Sequence, residues 1–259
     1  MLLVVDIGNT ETVLGLYDEE NLRAHWRLSS KQHRTSDECW ILVKIWCETD
    51  GFSLSDVKHF VICSVVPSLT AVYVEVSQKH LGIEPLVITA EMDTGLRVLY
   101  DTPRDVGADR ICNAVAGYVL HGGPLIIVDF GTATTFDVIS ERGEYLGGVI
   151  ALGLMSASQE LHRLAAKLPK VDLRFPPFVV GKTTEMSMQS GIMWGTVALV
   201  DGMVGKISQE MEWKNVHVVA TGGVAPLVVE ESEKIQVIEP FLTLEGMRLI
   251  FQRSNHRCE

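Results

Sequence analysis

The run Leu2-Leu3-Val4-Val5-Asp6-Ile7-Gly8-Asn9-Thr10 returns 123 residues further on as Leu125-Ile126-Ile127-Val128-Asp129-Phe130-Gly131-Thr132-Ala133. Each copy is a short, continuously apolar stretch of the kind that forms a strand covered on both faces. Each ends in Asp-x-Gly, which reads as a turn at the carboxyl edge of a sheet. Two further strand-like runs follow each copy, and then a helix. Thr12 to Tyr17 and Leu22 to Leu28 follow the first, with the polar turn Asp18-Glu19-Glu20-Asn21 between them. Ala133 to Ser140 and Tyr145 to Ile150 follow the second. An offset close to half the chain, with the same order of elements behind it, predicts an internal duplication. The expected division is an N-terminal α/β domain over 1–121 and a C-terminal α/β domain over 122–259, joined near His121 to Pro124.

The remaining elements follow from periodicity and breakers. Helices are expected at Ser36 to Cys47, Pro67 to about His80, Ala108 to Val119, Ser156 to Leu168, Ser187 to Met211 and Leu244 to Phe251. Strands are expected at His59 to Val65, Pro85 to Ile88 and Val216 to Ala220. Gly191, Gly195, Gly202 and Gly205 lie along the long helix. Glycine inside a helix costs up to about 1 kcal/mol against Ala, so close helix approach is the expected reason, either within the domain or between subunits.

The chain has 259 residues, 47% hydrophobic and 21% charged, which is ordinary globular composition. A net charge of −11 argues against a basic nucleic-acid surface. Ile111 to Val128 lacks Asp, Glu, Lys and Arg, but Gly122-Gly123-Pro124 breaks it, so no membrane span is expected. No basic segment precedes Asp6, so a signal peptide is not expected either. The cysteines are Cys39, Cys47, Cys63, Cys112 and Cys258, without any Cys-x-x-Cys spacing. Buried or idle thiols in a reducing cytoplasm fit this pattern better than disulfides or zinc. P-loop, dinucleotide-fold, nucleophile-elbow and zincin motifs are absent.

The paired Asp-x-Gly loops point to phosphate and cation chemistry. A glycine-containing turn lets backbone N–H groups approach phosphate oxygens, and a carboxylate beside it holds a cation directly or through water. Thr10, Thr132, Thr134 and Thr135 add hydroxyls, and Thr221-Gly222-Gly223 ends a third strand. The plainer alternative is that Asp6 and Asp129 cap turns. A second dense segment, Gly107-Ala108-Asp109-Arg110, sits where a loop enters a helix, a position that favours anions. Asp109 there can serve as a base for a hydroxyl proton, with Arg110 on an anionic substrate group. A capping Asp beside a solvated Arg is the alternative.

Together these loops resemble the type III pantothenate kinases of the acetate and sugar kinase, Hsp70 and actin superfamily. The likeness spans nearly the whole chain. Besides the loops above it includes Arg34-Thr35-Ser36-Asp37-Glu38, Ser64-Val65-Val66-Pro67, Gly147-Gly148-Val149-Ile150, Gly181-Lys182-Thr183-Thr184 and Gln189-Ser190-Gly191. Its specific parts are Gly107 to Arg110 and Asp129-Phe130-Gly131-Thr132-Ala133-Thr134-Thr135. Leu152 departs from a common family Pro and Thr183 from a common Asn, leaving the substrate Thr between Thr183 and Thr184.

The resemblance implies two RNase H-like, actin-like ATPase domains with a nucleotide cleft between them. It implies ATP-dependent phosphorylation of the primary hydroxyl of pantothenate, the first step of coenzyme A synthesis. ATP phosphates would be held by Asp6, Ile7, Gly8, Asn9, Thr10, Glu11, Thr12 and Val13, with Thr132. Asp6 would carry magnesium through water, and Asp129 a monovalent cation, potassium or ammonium. Asp109 would be the proton acceptor. Tyr100, Gly107, Ala108, Arg110 and Thr184 would contact pantothenate, with the pocket completed by the second subunit of a homodimer. Alternatives on the same fold are a non-catalytic ATP-binding accessory regulator and a kinase with another small hydroxyl or carboxylate acceptor.

Overall fold

A computed structural model describes residues 1–165 and 167–255. The chain folds into two compact units, 1–116 with 242–259, and 117–241. Both repeat one plan.

In the first unit β1 (Leu2–Ile7) lies at the centre of a five-stranded sheet. Its neighbours are β2 (Glu11–Asp18), antiparallel, and β4 (His59–Ser64), parallel. β3 (Asn21–Ser29) and β5 (Leu86–Val87) lie outside them, giving the order β3-β2-β1-β4-β5. The unbroken apolar run of β1 is explained by cover on both faces. Leu3, Val5 and Ile7 belong to one core with Phe60, Ile62, Val43 and Tyr73. On the other face a side chain at Gly15 would touch both Val4 and Leu244. Helix α1 (Ser36–Thr49) contributes Cys39, Val43 and Cys47 at helical spacing and starts in a capping box between Thr35 and Glu38. Helix α2 (Pro67–Glu75) starts at a proline, and its continuation over Val76–Leu81 has π-type bonding. A two-residue strand, β6 (Arg97–Val98), precedes α3 (Ala108–His121).

In the second unit β7 (Leu125–Phe130) takes the place of β1. It pairs antiparallel with β8 (Ala133–Ile139) and parallel with β10 (His217–Thr221). With β9 (Glu144–Leu152) and β11 (Val237–Ile238) the unit's strands run β9-β8-β7-β10-β11, strand for strand the order of the first unit. Helices α4 (Leu154–Leu164), α5 (Thr184–Glu210) and α6 (Ala225–Val229) follow. Met188, Ile192, Val197, Val200 and Val204 of α5 form one core with Ile126, Val128 and Phe136.

Four findings adjust the sequence expectations. First, α7 (Leu242–Asn255) belongs to the first unit, whereas a division at 121/122 leaves it with the second. Its buried Leu244, Met247 and Ile250 complete the face of the first sheet that α1 and α2 leave open. Second, the helix expected at 156–168 begins two residues earlier and ends at Leu164, where extended Ala165 caps it; residue 166 lies outside the described residues, as does Cys258. Third, α6 had no sequence signal: five residues are too few for a periodicity. Fourth, the α5 glycines have no close packing partner among the described residues. Gly191, Gly195, Gly202 and Gly205 are exposed, and an added Cβ at each meets open space.

The apolar stretch 111–128 resolves into part of α3 and β7, separated by a cis Gly123–Pro124 peptide. Among the described residues no helix is long and apolar enough to cross a membrane. Cys39, Cys47, Cys63 and Cys112 are all free and buried.

Candidate active site

In the first unit, Asp6 stands at the end of the central strand, opposite Val13 of β2 and Cys63 of β4. The turn that follows is closed by Gly8 N–H donating to the Glu11 carbonyl at 3.0 Å. Ser30 buttresses it: its N–H donates to the Thr10 carbonyl at 3.0 Å, and its hydroxyl shares a 2.8 Å bond with Thr12. Arg34 in turn donates to the Ser29 carbonyl at 2.8 Å. The loop Asp6 to Val13 is thus a braced turn with Asn9 and Glu11 exposed. Sequence reasoning missed Ser30; nothing in a lone serine at the end of a strand marks it.

Asp109 occupies the first turn of α3 and accepts from the Arg110 N–H at 2.8 Å. Burial raises its pKa above the ordinary aspartate value, opposed by the Arg110 N–H, the Arg110 charge and its own N–H. Gly107 is pressed against it, since a Cβ there would collide with Asp109 Oδ1 and lie 3.6 Å from Val65. Ala108 is buried, Arg110 half-buried and Tyr100 exposed.

The charges of half-buried Asp6 and Asp109 both act on one pair of buried thiols. The Cys63 thiol is pushed well up by its hydrogen bond with Cys112, then by burial and by the charges of Cys112, Asp6 and Asp109. Cys112 is raised by burial first, and the same two carboxylates add to it. Both thiols are therefore held protonated and inert as nucleophiles. Beside Ser64 and Val65 opens a cleft of about 580 Å³, walled by Pro67, Thr70, Ala71 and Val74 of α2.

In the second unit Asp129 stands where Asp6 stands in the first, opposite Thr135 of β8 and Thr221 of β10. Its turn is one residue shorter: two residues separate β7 from β8, against three between β1 and β2. Gly222 has φ +94°, and a Cβ on it would stand 2.6 Å from the Phe130 carbonyl oxygen and 2.7 Å from Asp129 Oδ1. Only glycine leaves those two oxygens open. The Thr132 side chain is exposed, while its carbonyl accepts from Ser156 Oγ at 2.7 Å.

The two threonines before α5 divide by geometry. Thr183 is the N-cap, with Oγ1 accepting from the Met186 N–H at 3.1 Å, as an Asn in its place would. Thr184 is the first helical residue, and both threonines are exposed.

Among the described residues no three His, Cys, Asp or Glu side chains gather into a metal cage. A lone carboxylate at each strand end fits magnesium that keeps most of its waters and is shared with phosphates, and does not fit a structural metal.

Solved structures with this architecture cover nearly the whole chain. One from Campylobacter jejuni, described as a Baf family transcriptional activator, has TM-score 0.61 at 18% identity, covering 98% of this chain and 99% of its own. A ROK hexokinase from Thermus thermophilus has TM-score 0.55 at 12% identity, with 98% and 99% covered. The Lmo2764 protein of Listeria monocytogenes, described as an N-acetylmannosamine kinase, has TM-score 0.53 at 10% identity, with 98% and 99% covered. The fold is shared with these kinases. Within that class, the family model of type III pantothenate kinase matches residues 2–206, and the chain belongs to that family.

Proposed function

We propose that this kinase transfers the γ-phosphoryl group of ATP to the primary hydroxyl of pantothenate, giving 4'-phosphopantothenate, the first step of coenzyme A biosynthesis. The observation that carries the proposal is the half-buried Asp109 at the start of α3, flanked by Gly107 and Arg110 and acting with Asp6 on the same buried thiol, inside the segment matched by the family model. Asp109 accepts the hydroxyl proton, and a carboxylate made more basic by burial suits that task. Arg110 clamps the carboxylate of pantothenate. Gly107, Ala108, Tyr100 and Thr184 complete the acceptor pocket. The loop Asp6 to Val13 and Thr132 hold ATP. Asp6 would hold magnesium through water, and the ion would supply neutralisation of phosphate charge. Asp129, beside the Phe130 carbonyl, would hold potassium or ammonium. Four free, buried thiols suit a reducing cytoplasm. ATP-dependent formation of 4'-phosphopantothenate by the purified chain, followed by mass spectrometry, tests the assignment; no product under magnesium and potassium would refute it.

The acceptor pocket is assembled across a homodimer, with Thr184 of one protomer beside Asp109 of the other. What supports this is the exposed, side-chain-free stripe of Gly191, Gly195, Gly202 and Gly205, which no contact among the described residues accounts for. Two results are expected. An Asp109→Asn protein mixed with a Thr184→Ala protein, both inactive alone, should regain part of the activity, because the hybrid dimer holds one site of intact residues. No rescue despite demonstrated subunit exchange would exclude the shared site. Gly195→Leu with Gly202→Leu should sediment as a monomer at concentrations where the parent is a dimer. Both side chains have room on the lone chain, so a folded dimer of that variant would place the interface elsewhere.

A further inference from the structure

We propose that helix α7 positions the acceptor end of the site, with Thr243 and Gly246 holding the first turns of α3, and so Asp109, in register with β1. α7 lies wholly beyond the residues matched by the family model. The inference rests on the assignment of Asp109 as the base.

Gly246 is buried against the backbone of Cys112, three residues after Asp109. A methyl group there would run into the Cys112 carbonyl oxygen and stand 2.5 Å from its carbon and 2.7 Å from its Cα. The two helices are thus in backbone contact at one point, and no side chain cushions it. One turn from Asp109 on α3, the fully buried Asn113 accepts a 2.8 Å hydrogen bond from Thr243 Oγ1. α7 is itself packed on the sheet through its buried Leu244, Met247 and Ile250. The Arg248 guanidinium, held within the helix by a 2.9 Å bond from Nε to Glu245, lies 6.0 Å from the Tyr17 ring of β2. The Cys112 side chain meets the Cys63 thiol of β4, beside Asp6. The start of α3 is therefore held on one side by the strand next to Asp6 and on another by α7. A shift of α7 moves Asp109 relative to Asp6.

Reacting groups displaced by about 1 Å can lose on the order of 10²-fold in rate. Gly246→Ala forces a displacement of that order at Cys112. The expected result in the full chain is a fall in kcat of about 10²-fold. KM for ATP should stay unchanged, since the loop Asp6 to Val13 is braced by Ser30 rather than by Thr243 or Gly246. Thr243→Val removes the bond to Asn113 without steric conflict and should lower kcat in the same pattern by a smaller factor. Thr243→Ser, which keeps the hydroxyl, should restore it. Amide exchange over residues 111–116 should accelerate in Thr243→Val and not in Thr243→Ser, a readout independent of the acceptor. If the parent fails to phosphorylate pantothenate, the functional assignment falls, and the exchange result still decides the role of α7. If Gly246→Ala does not fold, the Thr243 pair decides. Folded Thr243→Val with parental kcat and parental exchange over 111–116 would overturn the proposal.

Discussion

Asp109→Asn is expected to lower phosphorylation of the acceptor by about 10²- to 10⁴-fold, the range of general-base catalysis, and to leave ATP binding near that of the parent. The lower end applies if the phosphoryl transition state is loose, because positioning then supplies most of the rate. The same substitution should stabilise the protein at neutral pH. Burial holds the Asp109 pKa above its ordinary value of 3.8, against the opposing Arg110 N–H and charge. A carboxyl group with a raised folded-state pKa contributes stability that is fully present below its unfolded value and lost as pH rises through the folded one. At neutral pH the ionised Asp109 therefore costs stability, and Asn removes that cost. Tm of the variant should exceed that of the parent at neutral pH, and the difference should shrink in acid. Turnover of the parent should fall on the acid side as Asp109 takes up its proton. Parental turnover in a folded Asp109→Asn protein would assign the base to another group.

Asp6→Ala is expected to abolish activity in every salt, whereas Asp129→Ala should abolish only the response to potassium or ammonium. The two carboxylates hold equivalent places in the repeated sheets, yet their neighbours differ. Asp6 lies in register with Cys63 and Val13, neither of which offers a side-chain oxygen, so a cation held there would take its other ligands from water and phosphate. Asp129 stands among Thr135, Thr221 and the Phe130 carbonyl, an oxygen-rich setting for a weakly hydrated ion. Gly222→Ala should mimic Asp129→Ala, because its methyl would stand 2.7 Å from Asp129 Oδ1 on a backbone of φ +94°. Full activity in sodium alone would remove the monovalent site from the account.

The strand ends were legible in the sequence for a physical reason. A strand covered on both faces must be apolar throughout, so the two Asp residues that interrupt such runs stand out, and both fall at sheet edges in equivalent positions. Gly107 to Arg110 was legible because a charged pair after a glycine marks a helix entry, and α3 begins there. Contacts made by distant, unremarkable residues were not legible. The affiliation of α7 depends on Gly246 meeting a backbone carbonyl more than a hundred residues away, which no local pattern records. Ser30 braces the first loop through backbone atoms of Thr10 that carry no sequence signature. The glycines of α5 were read as a sign of close packing, but the alternative of packing within the chain was decided only by the open space around them.

If Gly107 to Arg110 selects pantothenate on a fold shared with sugar kinases, the selection is read from kcat/KM for ATP-dependent phosphorylation of pantothenate, glucose, N-acetylmannosamine and acetate, under magnesium and potassium, in the parent and in Asp109→Asn. Pantothenate should be preferred by orders of magnitude, and that preference should collapse in the variant. A sugar or acetate phosphorylated as well as pantothenate, or pantothenate left untouched, would contradict it.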